Sequence, residues 1–231
     1  MNKKYKHLFF DLDRTLWDYN NNAREALYEI FIMYKLDTLG IVFNDYIDAF
    51  TKSNEYMWAR FRNREINKQT LRSRRFYMTL EKFGIKDADI ALRMDNDYIR
   101  ICPTKTNLFP YVLETLEYLK QYYRLHIITN GFNEVQFLKL KNSGIEDFFE
   151  KVVTSDSIGV QKPHADIFHY SLTSVNARKS ESLMIGDDLE VDIEGARKYG
   201  LDQMLFNPLR IKHNMKPTYE VFEILDLKKL L

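Results

Sequence analysis

A single cysteine, almost no net charge and no long apolar run are the first things the chain withholds. Cys102 stands alone, so no intrachain disulfide can form and nothing points to an oxidising compartment. Packing is the role expected of it. Lys+Arg 34 against Asp+Glu 33 leave a formal net charge of +1, which excludes the strong field of a dedicated nucleic-acid binder. No apolar stretch approaches the roughly 18 to 20 residues that span a bilayer, so no membrane partner is expected. The basic start, Met1 to His7, resembles the opening of an export signal, but Asp11 cuts the following apolar segment short. A cytoplasmic location is the expectation. Internal repeats and low-complexity segments are absent as well.

What is present fits an ordinary globular chain. Its 231 residues, 45% hydrophobic and 29% charged, allow one to two domains with a sizeable core. The stretch on which the rest turns is Leu8 to Trp17. There an apolar run of strand type ends in Asp11 and Asp13, two carboxylates that strand alternation would send to the same side. At about 4 Å and an effective dielectric near 20, two such charges repel by roughly 4 kcal/mol. A positive partner is therefore expected beside them. The competing reading makes both residues turn formers and helix caps.

After this strand the pattern turns helical, over Ala23–Lys35 behind an Asn-rich turn at Asn20–Asn22, then Asn44–Arg64, Lys68–Phe83 with Gly84 as its stop, and Ala88–Ile101. Beyond Cys102-Pro103, Pro110 is placed to open a helix to about Tyr123. Strands at Leu125–Asn130, Lys151–Thr154, Ser182–Ile185 and Gln203–Phe206 then alternate with helices at Asn133–Ser143, Ala165–Val175 and Glu190–Tyr199. Such alternation predicts an α/β fold: a Rossmann-like, mostly parallel sheet with right-handed crossovers, residues 1–17 and 105–231, carrying an all-helical insert at 18–104. Ligands of such sheets bind outside the carboxyl ends of the strands. The polar residues there are Asp11 and Asp13, Thr129-Asn130-Gly131, and Gly186-Asp187-Asp188, with Lys162-Pro163 in the loop before Ala165.

Taken together and in this order, these clusters resemble the four motifs of the haloacid dehalogenase superfamily. Asp11 to Thr15 matches the first, Thr129-Asn130 the second, Lys162-Pro163 the third and Gly186 to Asp192 the fourth. The resemblance implies a phosphomonoester hydrolase in which Asp11 is the nucleophile that forms an aspartyl-phosphate. Asp13 is then the acid that protonates the leaving oxygen and the base that activates water. It further implies Mg²⁺ held by the Asp11 carboxylate, the Asp13 carbonyl and Asp187, with Asp188 or Asp192 as ligand or support. Thr129, Asn130 and Gly131 would meet the phosphate. Lys162 would neutralise the nucleophile and the transferring group. Arg14 stands where the family more often has Asp, Gly or Asn.

By the same resemblance the insert is a cap that closes over the site and sets specificity. Asp11 to Tyr19 looks like the 5′-nucleotidase branch, so a nucleoside 5′-monophosphate, often a pyrimidine one, is the expected small phosphorylated partner. Tyr56, Trp58, Arg60, Phe61, Arg64, Arg72, Arg74, Arg75 and Tyr77 could offer a stacking and cationic surface. Helix core and solvated face is the favoured reading for most of them. His126, His164 and His169 lack metal-ligand spacing and are read as structural. The alternatives are a phosphatase of phosphoglycolate or a sugar phosphate, a phosphomutase, a 2-haloacid dehalogenase, and a degenerate binding module. Asp13 argues against the dehalogenase, whose family members lack an acid/base aspartate at that position.

Overall fold

The computed structural model describes residues 4–231. Its first strand, β1 (His7–Phe10), is buried along its whole length. The reason is its place in the sheet. It pairs in parallel with β2 (Arg124–Thr129) on one side and β4 (Ser182–Gly186) on the other. With β3 (Lys151–Thr154), β5 (Asp202–Phe206) and β6 (Tyr219–Val221), the order is β3-β2-β1-β4-β5-β6 and every pairing is parallel. Strands covered on both faces read as continuous apolar runs, which is why five of the six are visible in the sequence. The sixth is a three-residue edge strand behind Pro217, too short to carry a pattern.

The chain reverses direction of travel across the sheet at β1, so the crevice at the carboxyl ends of β1, β2 and β4 is the switch point of the fold. One face of the sheet is sealed by Phe9, Ile128, Val153 and Met184 against Ile167 and Phe168. Burying one such aromatic side chain contributes about 2–3 kcal/mol. Contacts divide the chain into two compact units, one running through Tyr19 and resuming at Thr106–Leu231, the other Asn20–Lys105.

The second unit is helical: α1 (Tyr19–Met33), α2 (Phe43–Arg62), α3 (Lys68–Glu81) and α4 (Ala88–Ile101). Asn20–Asn22, expected as a turn, instead lie in the first turn of α1, where backbone N–H groups have no helical acceptor and Asn is tolerated. Asn67 caps α3 through Thr70 N–H at 2.8 Å, and Asp87 caps α4 through Asp89 and Ile90. Gly84, at φ +79°, ends the turn after α3. Phe50, Phe76 and Tyr98 form an aromatic core, with Phe50 and Phe76 centroids 4.9 Å apart. Asp95, fully buried, takes Arg75 at 2.7 Å and Arg72 at 2.9 Å. Two of the arginines singled out above are thus engaged in holding α3 to α4.

The first unit adds α5 (Val112–Leu119), α6 (Asn133–Asn142), α7 (Ser155–Ile158), α8 (Ala165–Ser174), α9 (Gly195–Tyr199) and α10 (Leu227–Leu230). Pro110 lies before α5 rather than in it, because Tyr111 adopts φ +66° and starts the helix one residue later. Among the described residues no helix is long and apolar enough to cross a membrane.

Near the amino ends of β1 and β2, His7 Nδ1 and His126 Nε2 lie 3.1 Å apart, with the rings stacked and His126 fully buried. One nitrogen of this pair must donate and the other accept, so the two facing nitrogens cannot both carry a proton. Burial, and then His7, lower the pKa of His126 to about 4, and burial lowers that of His7. Arg124 and Lys6 press in the same direction, while Glu150 and Glu181 oppose it. A folded pKa below the unfolded value of 6.5 means that the unfolded chain takes the proton first. The associated stability is complete above pH 6.5 and is lost as pH falls toward 4. Between pH 7 and pH 5 the wild type is expected to lose about 2 kcal/mol more than His126→Gln in urea unfolding. Equal losses would show that His126 does not titrate this way.

Candidate active site

Five chain segments meet at the carboxyl ends of β1, β2 and β4. The backbone of Asp11 continues the pairing with β4, its N–H donating to Ile185 C=O at 2.8 Å, so the carboxylate is delivered on a rigid strand end. Lys162 Nζ approaches Asp11 Oδ1 to 2.6 Å, Ile128 C=O to 2.7 Å and Asp192 Oδ1 to 2.7 Å. Two hydrogen-bond acceptors, Asp11 Oδ1 and Ile128 C=O, and the ion-pair contact with Asp192 compensate the burial of a lysine that is 1% exposed. Its backbone is fixed as well. The Asn130 side chain donates to Lys162 C=O at 2.9 Å and accepts from Lys162 N–H at 2.8 Å, so a strand end and a distant loop are pinned like a backbone pair. Asn130 therefore positions Lys162.

Asp11, Asp187 and Asp192 each place a carboxylate oxygen within 4.8 Å of the others. Burial, opposed by Lys162 and reinforced by Asp192, pushes Asp11 up to about 7. Burial followed by Asp11 raises Asp187, and burial raises Asp192. Burial also works against the Lys162 ammonium, but Asp11 and Asp192 overrule it and its pKa rises. Three crowded carboxylates answered by one ammonium are what a hard divalent cation with oxygen ligands fits. Thr15 Oγ1 donates to Asp187 Oδ1 at 3.3 Å and steadies it.

Asp188 and Asp192, indistinguishable in the sequence, separate in the structure. Asp188 caps the next helix, accepting from Glu190 and Val191 N–H at 2.9 Å each. Asp192 turns back into the cluster because Leu189–Glu194 winds as a π-helix before α9, a wider turn than the regular helix expected from Glu190. The end of β4 leaves room for it. A Cβ on Gly186 would stand 2.3 Å from Asp192 Oδ2.

Asp13 does not join its carboxylate to this cluster. Oδ1 takes Lys139 Nζ at 2.5 Å and Oδ2 takes Gln136 Nε2 at 2.9 Å, both from α6. The positive charge expected beside the two aspartates is thus supplied twice, Lys162 to Asp11 and Lys139 to Asp13. Gln136 Nε2 also donates to Thr129 Oγ1 at 2.7 Å, and Gly131 N–H reaches the same oxygen at 3.2 Å. Gly131 is required sterically, since a Cβ there would lie 2.3 Å from Gln136 Cδ. Arg14 has φ +66°, the left-handed region that Gly, Asn and Asp adopt most readily, which explains the residues usual at this slot.

Motif reading does not find Gln136 and Lys139, which only the structure shows to be buried. Phe137 and Leu138 are 39% and 46% exposed, whereas Gln136 and Lys139 are 1% and 4% exposed, so the helix turns these two polar side chains inward beside the buried Leu140. Three residues apart, the two share one helical face.

The chain is similar to known proteins over nearly its whole length. The family model described as haloacid dehalogenase-like hydrolase matches residues 5–200. The hydrolase YfnB of Bacillus subtilis is 30% identical over 99% of this chain and 96% of its own length. Its magnesium-bound crystal structure superposes with a TM-score of 0.91, covering 99% of both chains at 27% identity. The pyrimidine 5′-nucleotidase PynA of Streptococcus pneumoniae is 30% identical over 96% of this chain and 93% of its own. The pyrimidine 5′-nucleotidase YjjG of Escherichia coli is 29% identical over 99% and 98%.

Proposed function

The chain belongs to the haloacid dehalogenase-like hydrolase family, and from that premise we propose that it is a Mg²⁺-dependent phosphomonoester hydrolase working through an aspartyl-phosphate, with pyrimidine nucleoside 5′-monophosphates as its first substrates. The observation that carries the reading is Asp11, buried at a strand end with Lys162 at 2.6 Å and two further carboxylates within 4.8 Å. In the first half-reaction an Asp11 oxygen bonds to phosphorus and the bond to the ester oxygen breaks. Asp13 gives its proton to that oxygen. In the second, water attacks the same phosphorus, Asp13 takes the water proton, and the bond to Asp11 breaks.

Asp11 and Asp187, with the Asp13 carbonyl, would hold the Mg²⁺, and Asp192 would support it. When bound, the ion supplies positive charge that offsets the repulsion between an anionic nucleophile and an anionic phosphate. Thr129 and the N–H of Asn130 would meet phosphate oxygens, and Lys162 would neutralise the charge on the transferring group. The substrate choice rests on the likeness to PynA and YjjG.

Phosphate release from nucleoside monophosphates, sugar phosphates and phosphoglycolate, with Mg²⁺ or with EDTA, tests the proposal. Release peaking on pyrimidine monophosphates and abolished by EDTA is expected. A peak on another phosphate would overturn the substrate and leave the chemistry. No release from any of them, in folded protein with Mg²⁺, would overturn both.

A further inference from the structure

Nucleophile, cation ligands and charge neutralisation leave Gln136 and Lys139 without a task. Their placement is nevertheless costly, since a buried amide and a buried ammonium stand where α6 could have packed apolar side chains. Their side chains reach Asp13, Thr129 and Trp17, and the Lys139 ammonium also lies 5.8 Å from the centre of the Tyr19 ring. Lys139 Nζ meets Asp13 Oδ1 on one side and lies 4.2 Å from the centre of the Trp17 ring on the other. Trp17 is itself fully buried, so the tryptophan of the opening motif faces an ammonium ion and not solvent.

Gln136 adds a second constraint. Its amide orientation is fixed, because a flip would aim Oε1 at the Asp13 carboxylate. Its two N–H bonds are then divided between Asp13 and Thr129. Thr129 Oγ1, already accepting from Gln136 and from Gly131, keeps its own proton for an acceptor outside the group. One side chain thus ties the orientation of Asp13 to the donor polarity of Thr129.

We infer that Gln136 and Lys139 are positioning residues for the proton-transfer steps, with Lys139 seated on Trp17 and holding the Asp13 carboxylate in the one orientation from which it serves leaving oxygen and water. This rests on the phosphatase reading and extends it to residues outside its motifs. The two half-reactions differ in what they ask of Asp13. With p-nitrophenyl phosphate the departing phenolate is a weak base and leaves without a proton, so the first step proceeds with Asp13 misplaced. Hydrolysis of the aspartyl-phosphate still needs a base to take the water proton.

Rapid-mixing kinetics of Lys139→Met on p-nitrophenyl phosphate with Mg²⁺ should show a burst of about one equivalent of p-nitrophenol. Steady-state kcat should be lowered about 10²-fold, with kcat/KM within about threefold of wild type. On a nucleoside monophosphate, whose alkoxide needs protonation, kcat/KM should fall as well. Lys139→Arg, which keeps the cation over Trp17, should recover most of the loss, and circular dichroism of both variants establishes that they fold. Equal falls of kcat and kcat/KM on p-nitrophenyl phosphate, wild-type turnover by Lys139→Met, or no recovery in Lys139→Arg would overturn the inference. Release of p-nitrophenol by Asp11→Asn would overturn the aspartyl-phosphate reading instead, whatever Lys139→Met does.

Discussion

Asp11→Asn is expected to lower phosphate release by about 10⁴- to 10⁶-fold, the scale on which nucleophile deletions act, while melting no earlier than the wild type in EDTA. The two halves of this result come from one feature. Asp11 shares a pocket with Asp187 and Asp192, whose oxygens lie within 4.8 Å of its own, and all three have pKa values raised by burial. Replacing a carboxylate by its neutral isostere removes both the proposed nucleophile and part of that repulsion. Lys162 keeps Asp192 and Ile128 C=O as partners. A melting temperature unchanged or a few degrees higher is therefore expected, an active site being a place where function is held against stability. Thermal melts in EDTA and phosphate release with Mg²⁺ check the two halves separately. A clear drop in melting temperature would show that the Asp11–Lys162 attraction outweighs the carboxylate repulsion.

Lys162→Met should act in the opposite sense on stability, lowering it by about 3–5 kcal/mol. Methionine fills the space of the lysine stem but leaves Asp11 and Asp192 facing each other with their counter-charge gone. The penalty is that of buried, unpaired carboxylates, so it should shrink when the carboxylates are neutralised. Urea unfolding of Lys162→Met and of Lys162→Met with Asp192→Asn measures this directly. Part of the loss should return in the double variant, a coupling expected of residues in contact. Strict additivity would show that Lys162 stabilises through its stem alone. Turnover should fall in both variants, because the transferring phosphoryl group loses the same positive charge.

How far the fold could be read in advance depended on whether burial left a pattern in the residues. β1 is legible because both of its faces are covered, which demands an unbroken apolar run, and because Asp11 marks its end. Helix α4 is legible to the residue, since Asp87 caps it and its buried side recurs regularly from Ala91 through Ile101. The helix after β4 is legible in extent, Glu190–Tyr199 against an observed Leu189–Tyr199, but not in its winding, because a π-turn shifts the spacing on which periodicity reasoning depends. That shift decides which acid enters the cluster, Asp192 rather than Asp188. The site motifs were legible because chemistry fixes residue types at strand ends. The α6 pair was not, since a glutamine and a lysine on a helix ordinarily face water, and here Phe137 and Leu138 do so instead.

The position of β1 at the middle of the sheet also governs how the chain is made. A strand that is synthesised first acquires its second neighbour only when residues up to Ile185 exist. At about 5–20 residues per second, that interval lasts roughly 10–35 s. Throughout it, an apolar segment with open hydrogen-bonding edges is available to other nascent chains. Its tail of two acidic residues, Asp11 and Asp13, is the kind of charged flank that discourages such pairing. The carboxylates that later meet Lys162 and Lys139 thus stand as a charged flank to the strand while its edges are still open.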